Sequence, residues 1–356
     1  MGSHSRTDYV GHTGHPITRC TIGLPVILVC GEALIDLFAQ SSEVSRPKLH
    51  VTIGGSPLNV ATGLVRLGTP AAFFGGVSTD YLGTLLVDAM HHEGIDTTLI
   101  KRSGRPTPLV LVTPNSGGNP SYTFYAHESA EQDVSLVDLP PKLPLAIEAL
   151  ALGSYVLATE PVGTALLTLA KREARRVVVS LDCNLRPTMV GALDVWRDRI
   201  ERFACTATII KLSEEDFFTG WGEKAQFGDF VARWLAQGVR LIVLTRGASG
   251  ATVWHQAGRV DLPGRRIEVI DTVGAGDSFH AALLARLAQM NLLSHDALKT
   301  LDKASIEDVL HYATFAAGIT CSRQGANLPR RVEVEAAMAG QDAITTDRVA
   351  KTVSQR

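Results

Sequence analysis

The amino-acid sequence predicts an α/β fold, a doubly wound and mostly parallel sheet carrying a small β-rich lid. Three observations point that way. Short continuous apolar runs, among them Val26 to Val29 and Leu241 to Leu244, have the unbroken hydrophobicity of strands covered on both faces. These runs alternate with stretches that read as helices, and steady βα alternation implies a parallel sheet flanked by helices. Between residues 107 and 125 the alternation gives way to two short extended runs around a cluster of turn residues, which reads as an inserted flap.

With 356 residues and 45% hydrophobic content the chain can bury a large core, and its charges nearly cancel at net −2. It has no aromatic-studded basic stripe, so nucleic acid is not an expected partner. The clusters Lys171-Arg172, Arg175-Arg176 and Arg330-Arg331 read as solvated faces. No apolar run reaches the roughly eighteen residues of a membrane helix. Cysteines at 20, 30, 183, 205 and 321 show no C-x-x-C pairing and read as reduced thiols of a cytoplasmic protein. Residues 1–24 lack a signal-peptide core and read as a flexible leader, partly an expression scar, to which His4, His12 and His15 belong rather than to a metal site. One domain then spans 25–339, with lid segments near 37–52 and 97–128, and 340–356 is a polar tail.

Taken in order, Val26 to Phe38 is the expected first strand. Glu32 and Asp36 are charges inside it, and such charges persist only when paired, solvated or used. Asp36, expected beyond the strand's carboxyl end where ligands of open sheets collect, suits either a hydroxyl-rich ligand or a structural turn. Gly54-Gly55 then opens a short helix, with Ser56 as N-cap, Pro57 in the first turn and Gly68 at the C-terminal end. The Asn59 amide either reaches a ligand hydroxyl or bonds local backbone. Ala71 to Val77 reads as a strand and Tyr81 to Glu93 as a helix. Thr107 to Val112 and Ser121 to Tyr125 are the flap strands, whose aromatics Tyr122, Phe124 and Tyr125 can cover a ligand or pack against a second subunit.

A helix near Leu145 to Leu150, a strand near Tyr155 to Ala158, a helix from Pro161 to Arg175 and the strand Arg176 to Asp182 follow, with Asn184 and Arg186 beyond that strand's carboxyl end. The helix around Trp196 to Phe203 leads to the strand Thr208 to Lys211 and to Ser213-Glu214-Glu215-Asp216. These three acids suit a helix start favoured by the dipole, or a hydrated divalent cation. Leu241 to Leu244 is a strand, Thr245 to Gly250 a turn, and Ala251 to His255 a second strand. A helix from Ile306 to Cys321 ends in the loop Ser322 to Pro329.

Between these lies Asp271-Thr272-Val273-Gly274-Ala275-Gly276-Asp277-Ser278, an extended run that turns through two glycines into an amphipathic helix with Phe279, Leu283, Leu284, Leu287 and Met290 on one face. Unpaired N–H groups and the positive dipole end make such a start an anion site. Asp277 in its first turn is a cap, or a base held beside a phosphate. Phe279 stands where the dinucleotide fingerprint needs glycine, and no Gly-Lys-Ser/Thr ending of a P-loop occurs, so a classical NAD fold and a Walker-type NTPase are both unsupported.

Gly54 to Asn59 and Asp271 to Asp277 closely resemble the two signatures of the ribokinase-like (PfkB-type) carbohydrate kinases, in the family's order and spacing, and the resemblance covers about Val26 to Ala337. The opening Gly31 to Phe38 is most similar to the bacterial fructokinase branch. The resemblance implies ATP-dependent phosphorylation of a sugar hydroxyl, a reaction that needs alignment and charge stabilisation plus a carboxylate to take the alcohol proton. It makes Asp277 the base and Gly274, Ala275 and Gly276 the anion hole. Asp36, Gly54, Gly55 and Asn59, with Phe124 of the flap, become sugar-binding positions. Lys211, Thr245, Gly247 and Gly250 fall on the nucleotide side, and Gly325 and Ala326 resemble the late loop beside the nucleotide and a monovalent cation. Asp271 lies where many members bind potassium. ATP, Mg2+ and K+ are the implied cofactors, and the projecting flap fits a homodimer formed through the lid.

Two departures stand out. The family's Asn-x-x-Glu metal motif falls on Ser213 to Asp216 with Ser for Asn and Asp for Glu, leaving Asp216 as the magnesium-associated acid. Tyr125 is followed by Ala126-His127-Glu128 where many fructokinase-like members carry arginine, and Arg186 is the guanidinium expected at the sugar instead. Fructokinase is the leading reading. Within the family, 2-keto-3-deoxygluconate kinase, ribokinase and nucleoside kinase compete with it. From another class, a non-catalytic sugar or nucleotide sensor competes, although a sensor need not keep a base in an anion hole.

Overall fold

The computed structural model describes residues 24–39, 48–113 and 121–340. The leader with its histidines and Cys20, part of the first lid segment, the flap turn 114–120 and the tail from 341 lie outside the described residues.

The chain opens with β1 (Val26–Cys30) in the main sheet and crosses at once to β2 (Leu34–Ala39) and β3 (Leu49–Gly54) in a lid. Helix α1 (Ser56–Arg66) returns it to the main sheet as β4 (Ala71–Phe74). Next come β5 (Gly76–Ser78), α2 (Tyr81–Glu93) and β6 (Lys101–Ser103), with β5 and β6 paired as a separate ribbon. Strands β7 (Leu109–Thr113) and β8 (Ser121–Tyr125) complete the lid, in the order β3-β2-β7-β8. From β9 (Ile147–Gly153) the chain winds through α3 (Val162–Glu173), β10 (Val178–Asp182), α4 (Leu193–Ala204) and β11 (Ile209–Ser213). It continues as α5 (Glu214–Trp221), α6 (Phe227–Ala236) and β12 (Leu241–Thr245), and turns back as β13 (Ala251–His255) and β14 (Gly258–Leu262). Helices α7 (Ala275–Gln289), α8 (His295–Lys299), α9 (Lys303–Cys321) and a last helix at 331–340 close the domain.

The eight-stranded sheet has the order β14-β13-β12-β11-β10-β9-β1-β4, parallel from β12 to β4 and antiparallel at the β12-β13-β14 edge. Its two faces explain the unbroken apolar runs. In β1, Ile27 and Val29 join the core layer of α1, α7 and α9, while Val26, Leu28 and Cys30 join that of α3 and α4.

Several expected elements come out differently. The single strand from Val26 to Phe38 is two strands in two sheets, divided at Gly31 and the buried Glu32, because apolarity alone does not say which sheet a residue enters. Ala71 to Val77 likewise divides at Gly75, where a Cβ would collide with the Gly31 carbonyl. The expected helix at Leu145 to Leu150 is instead the start of central strand β9, because pairing with β1 and β10 overrides the helix preference of its Ala and Leu residues. Tyr155 to Ala158 is a 3-10 turn rather than a strand. Helix α7 is buried nearly all round rather than amphipathic, packed between α1 and α9, with Ala281, Ala282, Ala285 and Ala288 all fully buried.

Candidate active site

Gly274, at φ +76, turns the chain into α7, and a Cβ there would stand 2.7 Å from the Ala326 Cβ, so this position needs glycine for both angle and packing. Among the described residues the N–H groups of Gly276 and Asp277 have no protein acceptor, while that of Ala275 bonds the Thr272 carbonyl at 3.2 Å. Two open donors at the positive end of a fifteen-residue helix make an anion site.

Asp277 is 8% exposed at the third position of this helix. Its Oδ1 accepts from the Ser56 hydroxyl at 2.6 Å and its Oδ2 from the Asn59 amide at 2.8 Å. Burial pushes its carboxyl up, the bonds from Ser56 and Asn59 pull it back, Asp182 adds to the rise and Lys211 opposes it. Ser56 is not the N-cap of α1, because Gly55 at φ +104 takes that position and leaves the hydroxyl free to reach Asp277. The Asn184 amide, on a residue held at φ +33, donates to the same hydroxyl at 2.5 Å.

Asp36 lies on lid strand β2 rather than in a loop of the main sheet. A Cβ on Gly54 would collide with its carboxylate, so glycine lets the acid lie against the backbone. Burial pushes Asp36 up to about 6, Asp277 adds to the rise, and Arg186 opposes it. The same guanidinium also draws Glu32 and Asp216 down, against larger opposing effects, so Arg186 lies within electrostatic reach of acids on both the lid and the sheet edge. Tyr122 is held above the usual phenol range by burial and by Asp271, with Asp36 adding to it. Phe124 packs edge-on against Tyr155 at 6.0 Å and belongs to the layer beneath the lid.

On the other side, Lys211 is 4% exposed in the middle of β11, with Nζ 2.7 Å from the Asp182 carboxylate. Burial works to pull the ammonium down, but Asp182, Asp216 and Asp277 more than offset it. A Cβ on Gly276 would lie 3.2 Å from Nζ, so this cation sits against the first turn of α7. His280 bonds Ser180 at 2.7 Å, and burial lowers it to about 3, so its 3.8 Å approach to Asp182 is not an ion pair. Ser213 caps α5 by accepting from the Asp216 N–H at 2.9 Å, so the three acids begin a helix. The Asp216 carboxyl is raised by burial and by Asp182. Thr245 ends β12, its hydroxyl donating to the Leu212 carbonyl at 3.4 Å, and Gly247 beside it is exposed. At Gly250 a Cβ would collide with the Leu262 carbonyl, so this glycine is required by the β12–β13 turn. Asp271 accepts from Val273 N at 3.0 Å and from Gly325 N at 2.8 Å, tying the junction to the loop of Gly325 and Ala326.

The structure therefore gathers Asp36, Gly54, Gly55, Asn59, Arg186, Lys211, Asp216 and Asp277 at the carboxyl edge of the parallel strands. Ser56, expected only as a cap, and Asn184, expected only as a polar group beyond a strand end, complete the hydrogen bonding. No group of three or more His, Cys, Asp or Glu side chains among the described residues is arranged to hold a metal alone.

Open N–H donors beside a buried carboxylate, beneath a lid bearing a second carboxylate, suit phosphoryl transfer to a hydroxylated small molecule. The comparisons agree with that class. Residues 25–332 match the model of the pfkB family carbohydrate kinases, and the chain belongs to that family. A fructokinase of Rhizobium leguminosarum bv. trifolii is 35% identical over 283 residues, 80% of this chain and 86% of the relative. Among solved structures, fructokinase of Xylella fastidiosa with bound ATP superposes with TM-score 0.83 at 25% identity, covering 89% of this chain and 99% of that one. A Vibrio cholerae O395 fructokinase double mutant, bound to fructose, ADP and a potassium ion, gives TM-score 0.76 at 25% identity over 88% and 98%. The protein is an ATP-dependent sugar kinase.

Proposed function

We propose that the sugar is D-fructose and the product fructose 6-phosphate, with Asp277 as general base. The observation that carries the mechanism is the Asp277 carboxylate, buried and hydrogen-bonded by Ser56 and Asn59 beside the open donors of Gly276 and its own N–H. The sugar hydroxyl gives its proton to Asp277 while its oxygen forms the new bond to the γ-phosphorus. The bond to the β,γ-bridging oxygen breaks, and ADP leaves. Asp36 and Asn59 hold the sugar with Arg186 alongside, Lys211 and the helix start balance charge on the transferring group, and Thr245, Gly247 and the Gly325-Ala326 loop border the nucleotide.

The residues present fit a magnesium ion, because Asp216 is a hard oxygen donor and nearby Asp182 keeps a buried carboxylate oxygen with no hydrogen-bond partner among the described residues. When bound, Mg2+ neutralises phosphate charge. Asp271 fits a structural part in a potassium site, since both its oxygens hold the loops around it. The free cysteines 30, 183, 205 and 321 support a cytoplasmic location, and the exposed Leu49, Val51 and Ile53 of lid strand β3 support a homodimer.

A coupled ADP-release assay with fructose, ribose, 2-keto-3-deoxygluconate, adenosine and glucose tests this reading. Fructose is expected to give the highest kcat/KM, and Asp277→Asn to lower kcat by about 10²-fold or more with ATP binding largely intact. A different preferred sugar overturns the fructose assignment, and near-normal turnover in Asp277→Asn overturns the base.

A further inference from the structure

Burial pushes the Asp277 carboxyl up, and the hydrogen bonds around it work the other way. The Asn184 amide nitrogen can only donate, so at 2.5 Å the Ser56 oxygen is its acceptor. The Ser56 hydrogen is thereby left for Asp277 Oδ1 at 2.6 Å. Turning the Asn184 amide round would draw that hydrogen to Asn184 and leave two bare oxygens facing each other at the Ser56–Asp277 contact. The row Asn184, Ser56, Asp277 is thus polarised one way, and with Asn59 donating to Oδ2 it is fully satisfied when Asp277 carries its charge. The strand-end loop of β10, the start of α1 and the start of α7 all meet here, and Asn184 adopts a left-handed backbone angle to reach it.

We propose that Ser56 and Asn184 are positioning residues for the transfer reaction: Asn184 orients the Ser56 hydroxyl, and Ser56 aims the Asp277 carboxylate and keeps it a proton acceptor. The inference rests on Asp277 being the base. The charged and titratable groups facing that carboxylate are Asp36 from β2, Asp182 from β10, Lys211 from β11 and His280 from its own helix. Helix α1 brings only the neutral Ser56 and Asn59.

The test is the pH dependence of kcat in the intact enzyme, for Asp277→Asn, Ser56→Ala, Ser56→Thr, Asn184→Gly and the Ser56→Ala/Asn184→Gly double variant. Glycine at 184 preserves the positive φ while removing the amide. Ser56→Ala is expected to lower kcat about tenfold at neutral pH and to move the acidic limb upward by about one pH unit, because a hydrogen bond to the charged form is lost. Ser56→Thr should return the limb to the wild-type position. Asn184→Gly should shift it the same way by less, and the double variant should match Ser56→Ala within about twofold, because Asn184 acts through Ser56. An unmoved limb in Ser56→Ala, or additive losses in the double variant, overturns the relay. If Asp277→Asn is itself near wild type, the base assignment fails instead. Melting temperatures of each variant separate a folding defect from a shifted limb.

Discussion

Asp36 and Asp277 are both buried carboxylates, yet their surroundings differ in a way that kinetics can read. Asp277 has two hydrogen-bond donors that favour its charge, whereas Asp36 is pushed up to about 6 by burial and by Asp277, with only Arg186 opposing. As pH falls through about 6, Asp36 takes a proton and loses its charge-assisted bonds to sugar hydroxyls. The KM for sugar should therefore rise roughly tenfold between pH 7.5 and 5 while that for ATP stays flat. Asp36→Asn should start with the high KM and lose this dependence. Parallel rises in both KM values would remove Asp36 from the sugar side. Asp36, Asn59 and Asp277 were legible in the sequence because each is a polar residue breaking an apolar or glycine-rich pattern. Ser56 hides its part in the site, since a serine before proline at a helix start looks like a cap. The bond from Asn184 to Ser56 joins residues 128 positions apart, a pairing that local pattern cannot register.

At the scale of elements, the glycine turn into α7 is the part whose sequence and geometry agree most closely. Gly274 and Gly276 differ in what they demand, and substitution separates them. Alanine at 274 meets both the left-handed backbone angle and the Ala326 Cβ at 2.7 Å, so Gly274→Ala should cost about 1–3 kcal/mol of stability and move the helix start. Gly276 has no positive φ, and its added Cβ meets only Lys211 Nζ at 3.2 Å. Gly276→Ala should leave the melting temperature within a few degrees of wild type but lower kcat, since it crowds the cation against the anion site. Thermal melts and kcat for both variants check this, and equal melting losses would contradict the distinction. Elements failed to be read where tertiary pairing decided the outcome. Strand β9 has the Ala-Leu composition of a helix and becomes a strand because β1 and β10 take its backbone hydrogen bonds from both sides.

For the whole molecule, the parallel sheet was legible because βα alternation leaves periodic marks, while the attachment of the lid was not, since β2 resumes the apolarity of β1 after only Gly31, Glu32 and Ala33. Once placed, the lid has two unlike faces. Asp36 pairs with Thr52 and Leu37 with Val51 across β2 and β3, so Val51 projects to the face opposite Asp36. Leu49, Val51 and Ile53 repeat at two-residue spacing on that outer face and are 45%, 50% and 41% exposed on an edge strand. An exposed apolar stripe on a sheet edge that no strand among the described residues pairs invites pairing with another sheet, and a second copy of this lid offers the matching surface. Light scattering should therefore report a dimer, and a Val51→Lys/Ile53→Lys variant should run as a monomer. Because β3 also supports Asp36 and ends at Gly54, the monomeric variant should show a raised KM for sugar and an unchanged KM for ATP. A wild-type monomer, or a variant that remains dimeric, would rule out the lid as the interface.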